Sequence, residues 1–149
     1  MRDELGLGGA PVVGLVANVR GSKGHNCLPR RRARVLAAAP DARFLIVGDG
    51  VGFDDVKARV QQMGLESRVH LTGFRRDVPA VMAALDVLVL PSTRSEATSQ
   101  VIPQALAVGT PVVGSNVGGI PELVRDGRPV ASFRRRLRRA RRRDPGLAP

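Results

Sequence analysis

The 149-residue chain has one cysteine, no tryptophan, no tyrosine, four phenylalanines, two histidines and two lysines. The lone Cys27 excludes an internal disulfide framework and suits a reducing compartment. So few aromatic rings leave no interleaved platform on which nucleic-acid bases could stack. No uncharged apolar run approaches the roughly 18 residues that a membrane span needs. The first residues do not read as a signal peptide: Asp3 and Glu4 spoil a basic start, and residues 5–10 are glycine-rich. Neither a Walker A loop nor the G-x-G-x-x-G of dinucleotide-binding domains is present. These absences point to the cytoplasm, with no more than peripheral contact at the inner membrane surface.

Arginine is what the chain has in excess, 22 against two lysines, for a formal net charge of +11. The charge is unevenly placed. Eight arginines fall within residues 134–143, and Arg30, Arg31, Arg32 and Arg34 form a second cluster. With Asp144 counted in the tail, the remainder is neutral, with twelve basic and twelve acidic residues. A nucleic-acid-binding domain would spread its basic charge over a folded face. Eight like charges in ten residues repel, and such a run reads as a disordered tail. The length fits one domain, and 43% apolar residues exclude wholesale disorder.

The body alternates short β-branched runs with helix-like segments. Residues 12–16, 44–47, 69–71, 87–90 and 111–113 are apolar runs bounded by Gly, Pro, Asp or Ser, the pattern of strands covered on both faces. Val56, Val60 and Met63 repeat at helical spacing before Gly64, which ends that helix. Asp77 can cap a helix carrying Val78, Val81, Met82 and Leu85, while Val101, Ala105 and Leu106 line another. Pro121 opens a short last one. Five alternations predict an α/β fold with a parallel, Rossmann-like sheet and helices on both faces. Ligands of such sheets bind beyond the carboxyl ends of the strands. The candidate loops are therefore residues 17–24, 48–52, 72–76, 91–99 and 114–119.

Taken one at a time, these loops leave alternatives open. Gly48-Asp49-Gly50-Val51-Gly52 suits either a phosphate approach or a plain tight turn. Arg20 and Lys23 after the first strand suit a diphosphate, one forked and one a point charge, or are solvated surface cations. Glu96 in Pro91-Ser92-Thr93-Arg94-Ser95-Glu96-Ala97-Thr98-Ser99-Gln100 is either a helix cap or a functional acid.

Collinear motifs narrow the choice. They are Lys23-Gly24, Pro40-Asp41-Ala42-Arg43-Phe44-Leu45-Ile46-Val47-Gly48-Asp49-Gly50, Val69-His70-Leu71-Thr72-Gly73-Phe74, and Asp86-Val87-Leu88-Val89-Leu90-Pro91-Ser92. The fifth is Gly109-Thr110-Pro111-Val112-Val113-Gly114-Ser115-Asn116-Val117-Gly118-Gly119-Ile120-Pro121-Glu122-Leu123-Val124, followed by Asp126-Gly127. From residue 12 to 127 the chain resembles the donor-binding half of retaining family-4 glycosyltransferases of GT-B architecture. Each piece is modest; five in order, at the right gaps, are specific.

The resemblance implies a nucleotide-sugar donor held by this C-terminal Rossmann-like domain. The acceptor, a glycan or a lipid-linked sugar, would be held by an N-terminal domain not seen here. Lys23, with Arg20, would grip the diphosphate, and Lys23 and Glu96 would make up the catalytic set. Thr72, Gly73 and Phe74 would sit against the base, with Gly48 close by. Glu96 would be the first acid of the family's E-x7-E motif, near the donor sugar. The amides of Ala97, Thr98, Ser99 and Gln100 would meet sugar or phosphate. Two departures stand out. The family's arginine position is Asn18, with Arg20 two residues later, and the second acid, which binds the ribose, is Gln104. The sequence has no Asp-x-Asp pair, and no metal or other cofactor is expected. Residues 1–11 read as a lead-in, 12–127 as the domain, and 128–149 as a basic, disordered or aberrant tail. The alternatives are a binder of nucleic acid or acidic surfaces working through that tail, and a fragment or frameshifted product of a longer enzyme.

Overall fold

In the computed structural model the described residues are 1–25, 35–94 and 99–124. Both arginine clusters, Cys27, and the expectation of a disordered or aberrant tail lie outside them. The strands are β1 (Val12–Val16), β2 (Arg43–Val47), β3 (Val69–Leu71), β4 (Val87–Leu90) and β5 (Val112–Gly114). Between them stand α1 (Phe53–Gln62), α2 (Val78–Ala84) and α3 (Val101–Ala107), with α4 (Ile120–Leu123) after β5. A 3-10 turn, Gly21–Lys23, follows β1, and residues 35–38 are helical. The sheet is wholly parallel, in the order β3-β2-β1-β4-β5. This is the Rossmann-like arrangement that the alternation predicts.

Strand periodicity sorts the core into two clusters. Val12 and Val16 of β1 and Leu45 and Val47 of β2 join Val81, Met82, Leu85, Ile102 and Ala105 on one face. Leu15 and Val19, with Phe44 and Ile46, meet Val56 and Val60 of α1 on the other. Successive strand residues point to opposite faces, so one continuous apolar run serves both layers. Burial of each such side chain contributes about 1.5–3 kcal/mol relative to exposure.

Three local expectations change. Leu106 is 44% exposed, and the buried stripe of α3 is Ile102 and Ala105. Asp77 stands at the start of α2 but makes no side-chain cap, because its carboxylate accepts from the Arg75 guanidinium at 2.6 and 2.8 Å. Pro111 lies just before β5: it has no N–H to give, but its carbonyl accepts from Leu88 N at 2.8 Å.

Residues 1–10 fold onto the body. Leu7 is buried in the first cluster, with Met1 and Leu5 packed against it. Arg2 fixes this segment, donating to Asp86 Oδ2 at 2.7 Å and to the carbonyls of Ala84 and Ala10 at 2.9 Å. Asp86 also accepts from Val12 N at 2.8 Å, so one carboxylate ties the lead-in to the start of β1. Asp86→Ala should therefore lower stability by about 1–2 kcal/mol in urea denaturation. Unchanged stability would show that the tie contributes nothing.

Candidate functional site

Strand order places the site. From β1 the chain moves through β2 and β3 to one edge, then returns to β4 on the other side of β1. The switch point lies between β1 and β4, where crossovers diverge and leave a crevice at the carboxyl ends. Backbone hydrogen bonds lace the surrounding loops together. Val19 N donates to Asp49 O at 2.9 Å, Gly52 N to Val19 O at 3.1 Å, and Gly48 N to Gly73 O at 2.9 Å. Thr93 N donates to Ser22 O at 2.9 Å, and Ser115 Oγ to Ser92 O at 2.7 Å.

Two glycines permit this proximity. Gly48 has φ +132°, and a Cβ there would lie 1.9 Å from Ala17 O. Gly24 has φ +71°, and its Cβ would lie 1.9 Å from Pro91 O. No other residue fits either place without moving backbone.

The crevice is a cleft of about 540 Å³. Ala17, Asn18 and residues 48–50 form its floor; Phe74, Arg75 and Val78 make one wall; Gln100, Val101 and Gln104 make the other. It thus brings together Gly48, Phe74, Gln100 and Gln104 from three separate loops and a helix. Phe74 is 71% exposed, a ring left uncovered at the cleft. Thr72 and Gly73 stand behind the cleft: Thr72 N donates to Ile46 O at 3.1 Å, and the Gly73 carbonyl holds Gly48. Ser99 is buried, and its carbonyl accepts from Ile102 N in the first turn of α3. Glu96, Ala97 and Thr98 lie outside the described residues.

Arg20 and Lys23 belong to the loop that continues from Asn18. Arg20 Nε donates to Asn18 Oδ1 at 3.0 Å, so the asparagine at the family's arginine position carries a guanidinium on its side chain. Lys23 closes the 3-10 turn, with its N–H on Arg20 O at 3.0 Å. The cleft's own arginine is otherwise engaged. Arg75 pairs with Asp77 and with Glu4 at 3.0 Å, which raises its pKa and lowers that of Asp77. Asp49, Arg75, Val78 and Val101 are not among the residues that the sequence singles out. Asp49 and Arg75 carry the signal of lying in the loops after β2 and β3, and Asn18 that of standing at the family's arginine position.

Beneath the β1 loop lies His25, 2% exposed. Burial pushes its pKa below 6.5, the carbonyls of Arg20 and Ala17 partly oppose that, and Lys23 adds to it. His70 on β3 is also lowered, by burial and then Arg43.

A model of the glycosyl transferases group 1 family matches residues 10–137. A 2-deoxystreptamine glucosyltransferase of Streptomyces kanamyceticus is 39% identical over 118 residues, covering 78% of this chain and 30% of its own length. A 2-deoxystreptamine N-acetyl-D-glucosaminyltransferase of Streptomyces fradiae is 41% identical over 120 residues, covering 78% of this chain and 28% of its own. The crystal structure of Anabaena HepE with UDP and glucose superposes at a TM-score of 0.75 and 34% identity, over 85% of this chain and 35% of that one. This chain thus spans about a third of the length of the relatives it matches.

Two outcomes follow from the site's construction. Gly48→Ala should cost several kcal/mol in urea denaturation, against about 1 kcal/mol for Gly64→Ala, which shares a positive φ but has nothing within 4 Å. Equal losses would contradict the close approach at Ala17. Stability should also fall as pH drops below 6.5, because the unfolded chain then binds protons that buried His25 refuses. The slope from His25 is at most about 1.4 kcal/mol per pH unit. His25→Asn should flatten it just below pH 6.5, and an unchanged slope would assign the effect elsewhere.

Proposed function

The chain belongs to the group 1 glycosyl transferases, as a C-terminal Rossmann-like domain of GT-B type, and on that premise we propose that its cleft holds a nucleoside diphosphate-sugar as glycosyl donor. The observation that carries this reading is one juxtaposition. A loop bearing Arg20 and Lys23 runs from the floor of a switch-point cleft whose walls offer an uncovered ring and two amides. Support also comes from HepE, which has been solved with UDP and with UDP-glucose.

In this reading Phe74 lies against the base, with Thr72 and Gly73 setting its height. Gln104 takes the ribose, accepting one hydrogen bond and donating another through its neutral amide. Gly48 lets backbone approach the nucleotide. Arg20 and Lys23 grip the diphosphate. As the bond to the anomeric carbon breaks, negative charge grows on the departing phosphate, and cations already in place stabilise it without reorganisation. This role needs no metal. Glu96, Ala97, Thr98, Ser99 and Gln100 attend the sugar and its phosphate, with transfer in the retaining sense of family 4. Transfer also requires an acceptor held in near-attack geometry. That task falls to a facing domain, and the acceptor is a glycan or lipid-linked sugar met in the cytoplasm.

Calorimetry tests the donor side directly. UDP and UDP-glucose should bind the folded chain at millimolar concentration or better, and Lys23→Ala should weaken both about tenfold to a hundredfold. A folded sample that gives no heat with either ligand would remove the reading.

A further inference from the structure

His25 has no part in the donor-binding reading, yet it lies under the loop given there to the diphosphate. Among the described residues neither its Nδ1 nor its Nε2 has a hydrogen-bond partner, although the ring is 2% exposed. Among the described residues the backbone groups acting on the ring are those of Ala17 and Arg20, and the charged side chain acting on it is Lys23. Gly24 fixes the entry of His25, since the chain there turns against the Pro91 carbonyl with no room for a Cβ. A buried imidazole with two idle nitrogens beside two acceptors is costly. The neutral ring has one N–H and can serve one carbonyl; the imidazolium has two and can serve both. Burial and Lys23 oppose that second proton in the empty site. A bound diphosphate supplies the negative charge that offsets both.

We propose that His25 is a positioning residue for the donor diphosphate, taking a proton from solvent when the diphosphate binds and then bridging the carbonyls of Ala17 and Arg20. This inference rests on the assignment of the β1 loop to the diphosphate. Its consequence is mechanical and electrostatic. Bridging pins the two ends of the stretch that carries Asn18 and Arg20. It also sets a cation one layer beneath the phosphate that leaves with added charge. Affinity for the donor should then rise as pH falls through the window between the free and bound values of His25.

The chain has two histidines, so each ring can be followed by nuclear magnetic resonance in the unaltered 149-residue protein. UDP-glucose is a suitable probe, because its diphosphate is esterified at both ends and does not itself titrate near neutrality. Saturation with UDP-glucose should raise the titration midpoint of His25 by about one unit or more and leave His70 on β3 unmoved. Calorimetric affinity for UDP-glucose should rise by up to about tenfold per pH unit across that window, and His25→Asn should lose this dependence. A buried residue that only fills space would show neither change. Binding of UDP-glucose with an unmoved His25 midpoint, or with His25→Asn keeping the wild-type pH profile, overturns the inference while leaving the donor site standing. Absence of UDP-glucose binding removes both. Should His25→Asn fail to fold, the midpoints in the unaltered chain decide the matter.

Discussion

The carboxyl edge of the sheet depends on the contact between the loop after β1 and the loop after β2. Gly48 passes the Ala17 carbonyl where a Cβ would stand 1.9 Å from its oxygen. That proximity lets Val19 and Asp49, and Gly52 and Val19, exchange backbone hydrogen bonds. The β1 loop is therefore held from the β2 side by main-chain bonds, together with the buried Val19 side chain packed toward α1. On its other flank Ser22 accepts from Thr93, which ties it to the loop after β4. The path of this loop is thus set largely by backbone hydrogen bonds, and within it Arg20 donates to the Asn18 side chain.

Charge is arranged in the same spirit. Arg75, the arginine in the cleft wall, is neutralised by Asp77 and by Glu4 from the lead-in segment. In the loop after β1, the Asn18 side chain accepts from Arg20. The cleft lining combines the Asp49 carboxylate with the uncharged Gln100, Gln104 and Phe74. In the proposed reading the diphosphate lies on the side of Arg20 and Lys23, and the base lies beside Phe74. The buried His25 follows this loop, and burial lowers its pKa.

Most strands were legible because cover on both faces makes each an apolar run between turn residues, although His70 interrupts β3 and Val113 of β5 is 60% exposed. The observed bounds of β1, β3 and β4 coincide with those runs. β2 and β5 differ by a residue, since Arg43 enters the ladder and Pro111 cannot. Local pattern failed where a distant partner intervened. Asp77 reads as a helix cap in isolation, but Arg75 takes its carboxylate, and Glu4, over seventy residues away, helps to place Arg75. Leu106 reads as core, yet α3 turns it to solvent in favour of Ile102. At the cleft, Gly48, Phe74, Gln100 and Gln104 were reachable through the family resemblance. Asp49, Val78 and Val101 line it because loops far apart in sequence meet there, which no local pattern encodes. The depth of His25 was equally hidden, since it follows from Gly24 passing Pro91.

If the β1 loop and the cleft beside it form one nucleotide-diphosphate site, UDP should perturb both together. Amide chemical-shift mapping of the labelled chain with UDP should then show shifts concentrated in residues 17–25, 48–50, 72–75 and 99–104, with α1 and α4 unaffected. Shifts confined to the arginine-rich residues 134–143, with the cleft amides silent, would contradict it.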